Sequence, residues 1–251
     1  MMKKRVVLAV AVLLVAATLG GCVTVSLGPQ GWGPNQGVSV RGTGQVVSFP
    51  VETASFSAVE IDGNYEIIYR QAQVSSVRFE IHENLIEYLD VETHGGTLVI
   101  RSDAFFEGNS SPTLYIYAPQ LDSVEISGAG RLRNWDTLAT ESLSIMIGGA
   151  VEGNMPLNVE HLDALIAGAV RVQLTGSADT ASITLAGAGD VSAGMLQTRS
   201  ASVDIAGAGN VVIAASDTLD VSIAGVGRVQ YVGEPTVTRN IAGAGTVTRS
   251  S

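Results

Sequence analysis

A short glycine-containing motif that recurs seven times constrains the fold of this chain more than any other feature. The copies are VEISGAGRL, IMIGGAVEG, ALIAGAVRV, TLAGAGDV, DIAGAGNV, SIAGVGRV and NIAGAGTV. Their first aligned glycines are Gly128, Gly149, Gly168, Gly187, Gly207, Gly225 and Gly243, at steps of 21, 19, 19, 20, 18 and 18 residues. A period this short, with no helical stripe inside it, is typical of stacked β-strands. The repeat therefore predicts a β-solenoid, in which each copy forms one turn, or rung.

Apolar residues recur at fixed distances from these glycines. Two positions before them are Ile126, Ile147, Ile166, Leu185, Ile205, Ile223 and Ile241. Four positions before them are Val124, Ile145, Ala164, Ile183, Val203, Val221 and Arg239. Four positions after them are Leu132, Gly153, Val172, Val191, Val211, Val229 and Val247. Even offsets are apolar and odd offsets are mostly small or polar, which is the two-residue period of a strand with one buried side. We expect the aligned glycines to lie at tight bends and Arg239 to cap the last rung.

The fold class predicted is all-β: a right-handed parallel β-helix, or β-solenoid, of about seven short Gly-Ala-Gly rungs over residues 122–251. A less regular β-rich half, residues 45–121, precedes it. Strand-like alternation there covers Phe56–Ile61, Tyr65–Tyr69, Val77–Ile81, Leu98–Arg101 and Leu114–Tyr117. A single helical turn is predicted over Asn84–Asp90. This half is expected either to cover the open end of the solenoid or to begin a less regular coil that the repeats continue.

Charged and polar residues occupy the position three residues after each glycine. They form the candidate binding face: Arg131, Glu152, Arg171, Asp190, Asn210 and Arg228. Arginine and acid alternate over the first four rungs, so we expect cross-rung ion pairs, each worth at most about 1 kcal/mol, that favour one register. Two alanine columns flank the glycines: Ala167, Ala186, Ala206, Ala224 and Ala242, and Ala129, Ala150, Ala169, Ala188, Ala208 and Ala244. One interpretation is that only small residues fit at the corners of the coil. The other is that they form a smooth surface on which a partner or a second copy of the chain can dock.

The first 44 residues are expected to lie outside the folded part. A basic Lys3-Lys4-Arg5 segment, an apolar run over residues 6–17 and small residues before Cys22 predict a lipoprotein signal peptide over residues 1–21. Leu-Gly-Gly-Cys resembles a bacterial lipobox, so Cys22 is the predicted lipidation site, carrying palmitate or a similar acyl chain. A secreted protein with a free thiol is the alternative. Residues 22–44 predict the lipidated cysteine and a flexible, Gly- and Pro-rich tether.

The charge balance bears on location and partners. Three of the 14 basic residues lie in the leader, so the rest of the chain carries 11 basic and 24 acidic residues and would repel nucleic acid. The predicted membrane contact is the lipid anchor at Cys22. Val23 after the cysteine predicts the outer membrane in a host with two membranes, and otherwise the extracellular face of the plasma membrane.

No catalytic, metal or cofactor site is predicted. The three histidines, His82, His94 and His161, lack the spacing of a zinc site. Five acids would form a solvated edge or hold calcium: Glu80, Glu83, Glu87, Asp90 and Glu92. The Gly-Ala-Gly copies lack the third glycine and the following helix of a dinucleotide-binding turn. The enzyme alternative is a polysaccharide lyase or hydrolase that uses Asp190, which lies between Arg171 and Asn210 in the charged positions.

Three segments of the chain carry a family resemblance. They are FSAVEIDGNYEIIY, VRFEIHENLIEYLDVETHGGTLVIRS and LYIYAPQLDSVEISGAG. Over about residues 56–235 this order resembles the head GIN domain of autotransporter adhesins, above all in the Asp62-Gly63 turn, the Asn84-Leu85-Ile86 segment and the repeated Gly-Ala-Gly. The resemblance implies a secreted or lipid-anchored β-helical protein of the bacterial envelope and brings no catalytic residues.

The predicted function is therefore a non-catalytic cell-envelope lipoprotein, an adhesin-like module whose flat solenoid face binds a glycan, an envelope polymer or a protein. A self-associating structural envelope protein, and the lyase or hydrolase, are the alternatives. Among the repeats only Trp135 and Tyr231 offer an aromatic platform for a sugar, which weakens the glycan version.

Overall fold

The computed structural model describes residues 38–108 and 110–250, which belong to one compact unit. The predicted signal peptide, Cys22 and most of the predicted tether lie outside the described residues. No helix in the described part has the length and apolar character needed to span a bilayer.

Strands dominate both halves of the described chain. The first half contains β1 (Val38–Arg41), β2 (Val46–Val51), β3 (Ala58–Ile61), β4 (Asn64–Gln71), β5 (Ser76–His82), β6 (Leu89–His94), β7 (Thr97–Ser102), β8 (Ala104–Glu107) and β9 (Thr113–Ala118). The second half contains β10 (Ser123–Ile126), β11 (Ala129–Leu132), β12 (Leu138–Ile147), β13 (Ala150–Ile166), β14 (Ala169–Leu185), β15 (Ala188–Ile205), β16 (Ala208–Ala214), β17 (Thr218–Ile223), β18 (Val226–Val232), β19 (Thr236–Ile241) and β20 (Ala244–Arg249). The predicted helical turn is a 3₁₀ helix over Glu83–Tyr88.

The repeats stack as a parallel β-solenoid with the predicted register. Each copy pairs in parallel with the next, so that Ile126, Ile147, Ile166, Leu185, Ile205, Ile223 and Ile241 follow one another in a single column. The first six of these side chains are at most 2 % exposed. Inward aliphatic ladders of this kind supply the main apolar burial that stabilises the second half. The fold class and the core columns are confirmed.

The aligned glycines lie at bends, as predicted, and the structure supplies the reason. A Cβ atom on Gly149 would lie 1.7 Å from the carbonyl oxygen of Gly128, and one on Gly168 would lie 1.7 Å from that of Gly149. Each bend thus approaches the backbone of the preceding rung so closely that no side chain fits. The obstacle is the neighbouring rung, and for these glycines it does not involve a left-handed backbone.

The first half both continues the coil and covers its end. Strands β3 and β4 pair in parallel with β10 and β11, although the register partners are 65 residues apart in sequence. On their other side, β7 and β9 pair in parallel with β3 and β4. Strand β6 then pairs antiparallel with β7, while β5 pairs antiparallel with β9 and β2 with β5. Strands β3 and β4 therefore continue the coil of the repeats, whereas the antiparallel strands β2, β5 and β6 cover its end, as the two expectations for this half described.

The two ends of the described coil differ. Antiparallel strands cover the end formed by the first half, whereas β19 and β20 pair only with β17 and β18. Arg239 lies in register with Val221 in the inward column and is exposed, and Ile241 in the neighbouring column is 41 % exposed. Arg239 therefore occupies the end of the coil, as predicted for a capping residue.

The folded part begins before residue 45. Strand β1, which falls within the segment predicted to be a tether, pairs in parallel with β8. The hydroxyl of Ser39 in β1 also donates a hydrogen bond to Glu107 in β8. Alternating Val-Ser-Val-Arg is a strand pattern, but four residues between glycines are too few to be distinguished from a linker by sequence alone.

Candidate functional site

The segments that follow the bends form one continuous outward surface, which we call the outer face. In spatial order its strands are β2, β5, β9, β4, β11, the first part of β13, the first parts of β14 and β15, β16, β18 and β20. Strands of both halves therefore contribute to the same sheet. Outward side chains on neighbouring strands lie about 4.8 Å apart along the coil.

The candidate binding residues lie in one line on the outer face. Arg131, Glu152, Arg171, Asp190, Asn210 and Arg228 are consecutive partners in register. Glu66 of β4 pairs with Arg131 and extends this line into the first half. We call these seven residues the charged column. Glu66 was missed because the first half carries no repeat, so its register could not be aligned.

Only part of the expected ion pairing is present. Arg131 binds Glu152 through Nε and approaches Glu66 at 3.4 Å, and Arg133 lies 3.1 Å from Glu66. The amide of Asn210 donates a hydrogen bond of 2.8 Å to Asp190. Arg171, by contrast, has no carboxylate of the described chain within 4.0 Å, although Glu152 and Asp190 flank it in register. The expectation of an ion pair at every step is therefore wrong, and Arg171 is available to a ligand.

Electrostatics in the charged column follow from these contacts. The hydrogen bond and charge of Arg131 hold the pKa of the Glu152 carboxyl below its ordinary value, and Arg171 and Arg133 add to the effect. Because all these side chains are exposed, the pairs contribute little stability and exchange partners easily. The column thus presents donors and acceptors at the spacing of the rungs without the cost of a buried charge.

A shallow groove of about 810 Å³ runs beside the charged column. Its lining includes Glu66, Arg131, Glu152, Arg171 and Asp190, together with the alanines at positions 129, 150, 169 and 188. Because alanine side chains are short, the surface along this strip lies below the tips of the charged side chains beside it. The alanine column therefore serves as the floor of a groove, and an extended ligand lying along it would contact several rungs at once.

A second groove, of about 1040 Å³, lies at the other corner of the repeats. Its charged lining residues are Glu160, Asp179, Arg199 and Glu234. Arg199 lies 3.1 Å from Asp179 and 4.0 Å from Asp217, so its charge is already balanced. The sequence analysis missed this cluster because its positions are far from the aligned glycines.

The aromatic residues are placed differently from what the sequence suggested. Trp135 is 7 % exposed, and its indole N–H donates a 2.9 Å hydrogen bond to the carbonyl of Ile67. Tyr231 packs against the core. Trp135 is therefore unavailable as a platform for a sugar, and Tyr231 is partly covered by the core. The outward aromatic residues of the outer face are Tyr115 and Tyr117 of β9, both half-exposed, which belong to the first half.

The geometry gives little support to catalysis or metal binding. Asp190 is held by Asn210, and the next carboxylate in the column, Glu152, lies two rungs away, or about 10 Å by strand spacing. That spacing is at or just beyond the upper end of the carboxyl separation that inverting glycosidases use, so the charged column gives Asp190 no closely placed partner carboxylate. Across residues 38–108 and 110–250, no three His, Cys, Asp or Glu side chains are grouped as ion ligands. The three histidines bond separately, to Gly44, Glu92 and Thr180.

Comparisons with known proteins agree with this architecture. A family model described as "Putative auto-transporter adhesin, head GIN domain" matches residues 55–235. A crystal structure described as a "putative adhesin" from Bacteroides fragilis NCTC 9343 is 22 % identical, with a TM-score of 0.78, and the match covers 84 % of this chain and 100 % of that one.

Two further solved structures share the fold. A "putative lipid binding protein" from Parabacteroides distasonis ATCC 8503 is 21 % identical, with a TM-score of 0.67, and the match covers 85 % of this chain and 100 % of that one. A "putative adhesin" from Parabacteroides merdae ATCC 43184 is also 21 % identical, with a TM-score of 0.63 and the same two coverages. A comparison with curated proteins gave no match.

Proposed function

The chain belongs to the auto-transporter adhesin head GIN domain family, and from this membership we propose that it is a non-catalytic binding module of the bacterial cell envelope. The outer face is its working surface, and the charged column with its groove binds an extended glycan, envelope polymer or protein. The observation that carries the proposal is the unbroken register from Glu66 to Arg228, which sets seven polar side chains in one line across both halves.

Arg171 is the residue whose change tests the proposal best. It lies in the middle of the groove, is exposed and has no carboxylate of the described chain within 4.0 Å, so its replacement disturbs little of the fold. We expect Arg171→Glu to weaken binding of the full chain to isolated envelope material at least tenfold, because it places three acids in succession along the column. Beads coated with detergent-solubilised protein and incubated with envelope preparations give the measurement.

Arg41→Glu supplies the matched control. Arg41 lies in β1, which is not part of the outer face, and the substitution makes the same change in net charge. Its binding is expected to stay within twofold of the wild type. Equal losses in the two variants would indicate a non-specific charge effect and would contradict the proposed surface.

The lipid anchor is the second part of the proposal. Cys22 follows a basic segment, an apolar run and Leu-Gly-Gly, and a chain anchored there would present the outer face above a membrane. We expect the expressed full chain to incorporate radiolabelled palmitate and to fractionate with membranes, whereas Cys22→Ser incorporates none and becomes soluble. A labelled Cys22→Ser protein would place the acyl chain elsewhere.

Catalysis on polysaccharides remains the competing function. Incubation of the full chain with mixed polysaccharides would then generate new reducing ends or unsaturated products, and Asp190→Ala would abolish them. Within the charged column the nearest carboxylate to Asp190 is Glu152, two rungs away, which favours binding without cleavage.

A further inference from the structure

The end of the outer face that lies in the first half carries a compact aromatic and charged cluster, formed by Arg78, Glu80, Tyr115 and Tyr117. Arg78 and Glu80 project from β5, and the two tyrosines project from β9. Arg78 is the register partner of Tyr115, and Tyr117 pairs with Ser76. None of these residues belongs to the charged column, to the repeats or to the buried core.

Three members of the cluster, Arg78, Glu80 and Tyr115, contact one another. The guanidinium carbon of Arg78 lies 3.8 Å from the centre of the Tyr115 ring, a cation–π contact. Arg78 lies 2.8 Å from Glu80, and the hydroxyl of Tyr115 donates a 3.0 Å hydrogen bond to the other oxygen of the same carboxylate. These contacts raise the pKa of Arg78, chiefly through Glu80, and lower that of Glu80, chiefly through Arg78.

Unused hydrogen-bonding capacity remains in this cluster. A guanidinium has five N–H donors, and Arg78 directs one terminal nitrogen to Glu80 and to the Ser48 hydroxyl, the latter at 3.4 Å. A carboxylate can accept about four hydrogen bonds, and Glu80 accepts from Arg78 and Tyr115. About a third of the Arg78 side chain and two fifths of the Glu80 side chain are exposed, so both can reach a ligand.

A depression of about 620 Å³ adjoins the cluster. Its lining includes Pro50, Thr53, Ser76, Arg78 and Tyr117. These residues supply the apolar ring of proline, the aromatic ring of tyrosine and two short hydroxyl side chains. Such a combination suits a ligand with an apolar face and polar edges.

The charges indicate which ligand of that kind fits. Arg78 and Glu80 together are neutral, the exposed Glu52 adds a negative charge to the depression, and the chain as a whole has a net charge of −10, so a polyanion gains nothing here. A neutral sugar ring can stack its C–H face on a tyrosine while its hydroxyls donate to the carboxylate and accept from the guanidinium.

We propose that Arg78, Glu80, Tyr115 and Tyr117 form a subsite for a ring of a neutral polysaccharide. This inference rests on the proposed function and deepens it, because it assigns the ligand class at one end of the outer face. A polysaccharide seated on Tyr117 would continue past Glu66 and Arg133 into the groove beside the charged column, since these strands are neighbours.

Affinity electrophoresis of the full chain in detergent tests the subsite. Native gels would contain barley β-glucan, yeast mannan or dextran as neutral probes, and polygalacturonate as the acidic probe. We expect at least one neutral polysaccharide to retard the wild type and polygalacturonate not to do so. Tyr117→Ala should weaken the retardation at least tenfold, and Arg78→Gln, which shortens the side chain and removes its charge but keeps a polar amide, should weaken it several-fold.

Phe105→Ala is the matched control. Phe105 is an exposed aromatic residue in β8, away from the outer face, and its loss should leave retardation unchanged. Circular dichroism of each variant checks the fold. Should Tyr117→Ala fail to fold, Arg78→Gln decides the question in the same gels.

Three outcomes would overturn the subsite: no retardation by any neutral probe, retardation by polygalacturonate alone, or retardation that neither Tyr117→Ala nor Arg78→Gln weakens. The envelope-binding experiment separates this failure from that of the proposed function. If Arg171→Glu abolishes envelope binding while no neutral probe retards the protein, the outer face is a binding surface but the neutral-sugar subsite is wrong.

Discussion

Gly149→Ala is expected to lower the free energy of unfolding by about 3 kcal/mol or more, enough to cost a large part of the stability of a typical domain. The new Cβ atom would lie 1.7 Å from the carbonyl oxygen of Gly128 and 2.8 Å from that of Ser127. Neither obstacle is a flexible side chain, so two rungs must separate to admit the methyl group. Urea denaturation followed by circular dichroism measures the shift in midpoint.

The preceding residue supplies a control with the same chemical change. A Cβ atom on Gly148 would find its nearest neighbour, the Ser127 Cα, at 4.0 Å, and several other repeats carry alanine at this position. Gly148→Ala is therefore expected to change stability by less than about 0.5 kcal/mol, with slight stabilisation because alanine restricts the unfolded chain. Similar losses at both positions would show that the rungs are not packed as closely as the structure indicates.

Val203→Arg is expected to cost more than about 5 kcal/mol and to prevent folding of the repeats. Val203 has no exposed surface and lies in register between Ile183 and Val221, so a guanidinium there would be buried without a partner. The same residue type occurs naturally two rungs further along this column, as Arg239, where the coil ends. The expected result is loss of the β-sheet signal in circular dichroism.

The reverse exchange at the end of the column completes the test. Arg239→Val is expected to fold, because it restores the apolar residue type found at Val203 and Val221. It also removes an inward charge from an edge strand, and such charges discourage edge-to-edge pairing. We therefore expect concentration-dependent association by light scattering. An Arg239→Val protein that behaves as the wild type at every concentration would show that Arg239 does not protect this end.

Local regularities allowed much of the fold to be predicted. Period-two alternation assigned which side of each strand is buried, and the constant distance from the glycines assigned the register of the repeats. The predicted strands Val77–Ile81 and Leu98–Arg101 lie within β5 and β7 as found. The order of the charged column from Arg131 to Arg228 was also correct, because stacking like on like leaves no freedom in register.

Only the part of the candidate site that lies in the repeats could be predicted from the sequence. Glu66, Arg78, Tyr115 and Tyr117 lie in non-repeating segments, and their place on the outer face depends on strand pairings between residues far apart in the chain. Trp135 was one of two aromatic residues in the repeats considered as a platform for a sugar, yet its indole bonds to the backbone of the first half. A sequence pattern does not reveal such a contact, because the partner strand is brought in by long-range folding.

What the amino-acid sequence alone determined is a stacked coil with aliphatic columns inside, glycine bends and one line of alternating charges outside. Each repeat carries the same residue pattern as the repeat on which it stacks, so the pairing between repeats can be predicted from the sequence alone. The tertiary structure decided which non-repeating strands join that coil, that Arg171 has no carboxylate of residues 38–108 or 110–250 within 4.0 Å, and that two tyrosines lie at the end of the same face. Those features depend on contacts between segments without mutual similarity, and packing of the whole chain selects them.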